Sequence, residues 1–181
     1  ELWIMATNLE FIKSVDVTSG VVTVDVDNVF SDSYDVYYVQ FVGIFHDTSV
    51  SNGIEWIRFL DSSGTVVSQS EYDYANLVMP SASAFEEQRH TARGYIFFGL
   101  YTDQLSDGQA NASMYIYNPY DSSSYTFIQS QSAGKNSADF YGNKTIGVHK
   151  STETIRGLQL YESNSARTFG GGQINVFGVK G

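Results

Sequence analysis

The sequence has no cysteine. That excludes a disulfide framework, thiolate nucleophiles and zinc–thiolate sites, and it fits folding in a reducing cytosol. Proline is scarce, with 2 residues in 181, and no linker composition divides the chain. No stretch approaches the roughly 20 apolar residues of a membrane-spanning helix. The opening ELWIMATNLE lacks the basic n-region and long apolar h-region of a signal peptide. Met5 within it is a candidate natural start, and residues 1–8 read as an extended arm. Bases are few as well: 10 Lys and Arg stand against 20 Asp and Glu, a net charge of −10. A nucleic-acid partner would require a basic stripe, so none is expected. The acids are unevenly placed, with nine up to Glu55 against one base, Lys13. Solubility accounts for that imbalance, and a cationic partner surface is the alternative.

What the sequence has in surplus is aromatic: 13 Tyr, 12 Phe and 2 Trp. Tyr and Phe favour pleated, half-buried surfaces, which points to an all-β domain. The alternation agrees. In VVTVDVD, Val22, Val24 and Val26 face one way and Thr23, Asp25 and Asp27 the other, as in a strand buried on one side. Tyr34–Phe45 (YDVYYVQFVGIF) is apolar on both faces and reads as a central strand under cover. Ile54–Leu60 runs into the turn cluster Asp61-Ser62-Ser63-Gly64 and then Thr65–Val67, a hairpin. Further strands are predicted near Tyr95–Tyr101, Ala112–Tyr117, Tyr125–Gln131, Asp139–Val148, Thr154–Tyr161 and Gln173–Val179, with a weaker one near Glu71–Val78. Ser83 and Glu86 have capping-box spacing, which predicts at most one short helix near Ser83–His90. Short strands joined by Gly, Ser, Asn and Asp clusters point to a sandwich or barrel, a single all-β domain of about 8–10 strands over residues 1–181.

Chemistry is thin by contrast. His46, His90 and His149 stand at no close metal-ligand spacing, and each reads as a surface or strand-end residue. A nucleophile elbow, a P-loop and a dinucleotide fingerprint are all absent. Asp25 and Asp27 share a strand face, which solvent exposure explains. Asp103 and Asp107-Gly108 lack the alternating ligands of a calcium loop. No catalytic residue, metal or cofactor is expected. Trp56 and the tyrosines Tyr72, Tyr74, Tyr120 and Tyr125 are candidate stacking faces for sugar rings, with core packing as the plainer account. Arg89, His90 and Arg93 form the basic cluster. Local ion pairing with Glu86 and Glu87 is one reading of it, and docking onto an acidic neighbouring subunit the other.

Four segments in order carry a resemblance: LEFIKSVDVTSGVVTVDVDNVFSDSYDVYYVQF, IRFLDSSGTVV, SMYIYNPYDSSSYTFIQSQSA and GVHKSTETIRGLQLYESNSARTFGGGQINVFGVK. Together, from Leu9 to Lys180, they resemble a family of tailed-bacteriophage virion proteins, the tail-fibre-like or minor structural proteins common in marine phages. The resemblance implies a jelly-roll-like sandwich on the virion exterior, made in the host bacterial cytoplasm, partnered by other virion proteins and commonly assembled in threes. It implies no catalytic residues. Lacking a fibre shaft, the chain suggests a capsid decoration or cement protein or a small tail appendage, or else the tip domain of a longer fibre. The alternative from a different class is a receptor- or glycan-binding module touching the host surface. The ending, Gly157–Gly181, is predicted to be the last hairpin of the sandwich, with Leu158 and Leu160 on one face of its first strand, Ile174 and Val176 on one face of its second, and Gly170–Gly172 easing the chain back into the sheet.

Overall fold

The computed structural model describes residues 8–47, 53–102, 108–136, 139–162, 164 and 166–181. Residues 1–7 of the arm expected over 1–8, and the segment 103–107, lie outside the described residues. Thirteen strands carry the fold: β1 Leu9–Asp16, β2 Thr23–Val26, β3 Val36–His46, β4 Gly53–Asp61, β5 Val66–Val67, β6 Tyr72–Pro80, β7 Glu86–Arg93, β8 Ile96–Thr102, β9 Ala110–Tyr117, β10 Thr126–Asn136, β11 Asp139–His149, β12 Ile155–Glu162 and β13 Phe169–Val179. No helix occurs among the described residues.

The strands form two antiparallel sheets. One has the order β1-β13-β3-β9-β10-β11-β6-β7, and the other β2-β12-β4-β5 with β8 also paired to β4. Eight strands supply the jelly-roll frame, β1-β13-β3-β9 facing β2-β12-β4-β8. The other five are additions: β10 and β11 extend the first sheet after β9, β6 and β7 extend it further from between β4 and β8, and the two-residue β5 pairs with β4.

The inward residues follow the alternation. Tyr37, Val39 and Phe41 of β3, Met114 and Ile116 of β9, and Ile174 and Val176 of β13 meet Ile57 and Phe59 of β4 and Leu158 and Leu160 of β12, all buried. Each such side chain stabilises the fold by about 1.5–3 kcal/mol. Beneath the inserted strands the inner face turns polar, because β8 pairs with β4 alone and leaves carbonyls on its other edge. Side chains of the opposite sheet satisfy them. Asn76 Nδ2 donates to Phe97 O at 2.9 Å, Ser130 Oγ to Phe98 O at 3.4 Å, and Ser132 Oγ to Gly99 O.

Two expectations are corrected. The segment near Ser83–His90 is not helical: it ends in β7, paired with β6 in register Asn76↔Gln88 and Leu77↔Glu87. Ladder hydrogen bonds along β6 outweigh a lone capping signal, and the charged residues of β7 guard this edge of the sheet against further pairing. The last two strands are not a hairpin either. β12 pairs with β2 and β4 in one sheet, whereas β13 pairs with β1 and β3 in the other. The glycines between them serve a crossover. Gly172 has φ 128°, and a Cβ on Gly170 would fall 2.5 Å from the Phe45 ring.

Candidate functional site

The outer face of the eight-stranded sheet is where the surface is least ordinary. Register places one row of outward residues across all its strands: Phe11, Phe177, Tyr38, Tyr115, Gln129, Ile146, Ala75 and Arg89. The rings touch in sequence. Phe11–Phe177 centroids are 5.7 Å apart, Phe177–Tyr38 6.1 Å and Tyr38–Tyr115 5.0 Å. A parallel row adds Tyr117, Phe127 and Val148, and between the rows runs an open groove of about 690 Å³.

The composition of this face is informative. Outward positions on β13, β3, β9 and the first half of β10 are Gln173, Asn175, Phe177, Tyr38, Gln40, Val42, Asn111, Ser113, Tyr115, Tyr117, Phe127, Gln129 and Gln131, with no charge among them. In a chain of net charge −10 this is a large uncharged field. Tyr115, Phe127 and Ile146 stand 42 %, 43 % and 62 % exposed on it. The central strand β3 was expected to be covered on both faces, and the sandwich covers only one. Depletion of charge with enrichment of aromatic residues marks the core of an interface.

The residues singled out from sequence do not assemble into one site. Tyr72 is fully buried on the inner face of β6, so it offers no surface to a ligand. Its hydroxyl donates to Val67 O and accepts from Phe59 N, each at 3.0 Å, completing the ladder beside the two-residue β5. Replacing Tyr72 by Phe leaves that buried N–H and C=O unpaired and is expected to cost about 1–3 kcal/mol, read as a lower melting temperature. Tyr74 is buried against His90, centroids 4.8 Å apart. Trp56 is half-buried and stacked on Tyr95 at 3.8 Å, its face already occupied. Only Tyr120 and Tyr125, in the connection between β9 and β10, remain open. Tyr72 and Tyr74 belong to β6, the strand the sequence predicts only weakly near Glu71–Val78.

The basic cluster is divided as well. Arg89 faces outward and pairs with Glu87 at 3.1 Å in full solvent, an interaction worth little. His90 turns inward onto Tyr74 with Arg93 Nη2 at 3.1 Å from its Nδ1. Burial, and then the Arg93 charge, hold its imidazole below the usual histidine range.

A second constellation escaped sequence reasoning. His46, Glu55 and Glu162 come from three different strands and are buried together at one end of the sandwich. His46 Nε2 lies 3.3 Å from Glu55 Oε1 and 3.1 Å from Glu162 Oε2, and Nδ1 lies 2.8 Å from Thr102 Oγ1. Burial pushes the Glu55 carboxyl well above the usual range, against the hydrogen bond from Thr102. His149 is buried at the end of β11, with its Nε2 3.3 Å from Glu71 Oε2 and 3.5 Å from Glu153 Oε1 at the surface. The expectation of strand-end histidines describes the positions of His46 and His149. Neither is a surface residue, because each fills a core position beneath its strand end.

Neither a family model nor a curated protein sequence matches the chain. Among solved structures it is similar to the marine PL-14 alginate lyase from Aplysia kurodai, at 8 % identity and a TM-score of 0.32 over 83 % of this chain and 70 % of that one. It is also similar to Ail, the attachment invasion locus protein of Yersinia pestis, at 8 % identity and a TM-score of 0.20 over 70 % and 99 %. The VP2 subviral particle of infectious bursal disease virus aligns at 15 % identity and a TM-score of 0.15 over 96 % of this chain and 40 % of that one. Likenesses at these scores carry no weight for function.

Proposed function

We propose that this chain is a non-enzymatic structural protein on the exterior of a tailed-phage particle, docked to neighbouring virion proteins through the outer face of its eight-stranded sheet. The observation that carries the docking is the uncharged aromatic field across β13, β3, β9 and β10. The ordered four-segment resemblance supplies the virion, and the jelly-roll frame agrees with what that resemblance implies. The role is that of a capsid decoration or cement protein or a small tail appendage, made in the bacterial cytoplasm and assembled as a homotrimer. Quantitative mass spectrometry of purified particles tests it. Hundreds of copies place the chain on the capsid, about a dozen or fewer place it on the tail, and complete absence overturns the reading.

One observation favours a second reading, a glycan-binding tip. The same face presents tyrosines beside amides (Tyr38 with Gln40, Tyr117 with Gln129), and Tyr120 and Tyr125 stand open at its end. Aromatic faces with adjacent amides suit sugar rings and their hydroxyls. Binding of host-surface glycans on an array, lost on replacing Tyr115, selects this reading; silence at millimolar sugar rejects it.

A further inference from the structure

The ends of β1, β3, β8 and β12 and the starts of β2, β4, β9 and β13 gather at one end of the sandwich, as the strand pairings dictate. Just inside that end, β3 contributes His46, β4 Glu55 and β12 Glu162, all in the core. We propose that these three residues form a site for one divalent transition cation of the Zn²⁺ type, bound by His46 Nε2 and one oxygen of each carboxylate. The inference is independent of the virion reading.

Geometry is the first argument. Nε2 lies 3.3 and 3.1 Å from the two carboxylate oxygens, and one ligand atom from each of the three residues falls within 4.8 Å of the others. Ligands held tetrahedrally at Zn²⁺ bond lengths sit about 3.3 Å from one another.

The direction of the lone pair is the second. Both oxygens are within reach of Nε2, yet neither closes an aligned hydrogen bond with it, and Glu55 Oε2 also has no hydrogen-bond partner. A protonated His46 bridging the carboxylates would aim its N–H at one of them. An ion on the nitrogen's axis instead places its other ligands off that axis, which agrees with the absence of an aligned hydrogen bond at Nε2. Two carboxylates and a neutral imidazole also match a divalent charge, with Arg167 Nη1 a further cationic neighbour 4.0 Å from Glu162 Oε1.

The surroundings hold the ligands as a metal shell does. Nδ1 meets Thr102 Oγ1 at 2.8 Å, and the Thr102 hydroxyl donates to Glu55 Oε1, so in the neutral ring Nδ1 is the donor and Nε2 offers its lone pair. Asn164 N donates to Glu162 Oε1 at 2.9 Å, which turns Oε2 toward His46. Gly53 leaves room for the ring: a Cβ there would fall 2.1 Å from His46 Cε1. Imidazole among the donors selects a transition ion over Ca²⁺ or Mg²⁺. The cation ties the ends of β3, β4 and β12 together across the two sheets, a structural staple.

The test uses the full chain, stripped with EDTA and then titrated with Zn²⁺ by calorimetry and thermal melting. One equivalent is expected to bind and raise the melting temperature, with Ca²⁺ and Mg²⁺ inert at the same concentration. Glu55→Gln keeps the volume and the Thr102 contact but removes a charged ligand, and should weaken Zn²⁺ binding at least tenfold. Glu71→Gln, at the His149 cluster, should bind as wild type does. No binding by the stripped wild type, equal binding by Glu55→Gln, or loss confined to Glu71→Gln overturns the proposal. Should Glu55→Gln fail to fold, paramagnetic Co²⁺ on the wild type decides. It must perturb the His46 imidazole resonances most strongly, and strongest perturbation of His149 contradicts the site.

Discussion

Deleting Gln173–Gly181 is expected to abolish folding, not merely weaken assembly. The segment contains most of β13, which lies between β1 and β3 and pairs with both. Its loss strands two ladders and removes Ile174 and Val176, both fully buried. Truncating a buried Ile or Leu costs about 2–5 kcal/mol, and domains of this kind are stable by only about 5–15 kcal/mol. Two such losses together with two broken ladders exceed that margin. Circular dichroism and amide exchange check it: the truncated chain should show no cooperative melt and no protected core. A soluble truncation that melts cooperatively would show that β13 is dispensable, and the sandwich described above would then be wrong.

The opposite pattern is expected on the outer face. Replacing Tyr115, Phe127 and Ile146 together by Ser removes side chains that stand partly in solvent. The melting temperature should move little, because surface changes away from special features usually cost under about 0.5 kcal/mol each. Docking should fall at least about 100-fold, since truncating central aromatic anchors costs about 2 kcal/mol or more apiece. Incorporation into particles, compared between the triple variant and wild type, reads the loss directly. Phe85→Ser, a change at a still more exposed ring in the β6–β7 connection, is the control and should incorporate normally. The two results separate what holds the chain folded from what holds it in place.

The contrast follows how legible each layer is in sequence. Alternation placed the frame, as in β2, where Val24 and Val26 bury every second side chain. It could not place β7, whose inward Gln88 and His90 and outward Glu87 and Arg89 are all polar, so no apolar period marks it. Nor could it assign partners. The strands ending the chain were visible, but that β12 and β13 belong to different sheets depends on pairings with β2, β4, β1 and β3 far away in sequence. Strand β3 is the most instructive case. Its apolar residues on both faces predicted cover on both sides, and the single chain provides it on one. The buried cluster was invisible for the same reason as the topology, because His46, Glu55 and Glu162 converge only once three strand ends are brought to one end of the sandwich.

The most direct measurement is photocrosslinking in intact particles from a benzoylphenylalanine placed at Tyr115, with the captured protein identified by mass spectrometry. An aromatic probe within the uncharged field preserves the character of the face. A docking face predicts efficient crosslinks from position 115 to another virion protein or to a second copy of this chain, and few from a probe at Phe85. Crosslinks from position 85 but none from 115, in particles that contain the chain, would contradict it.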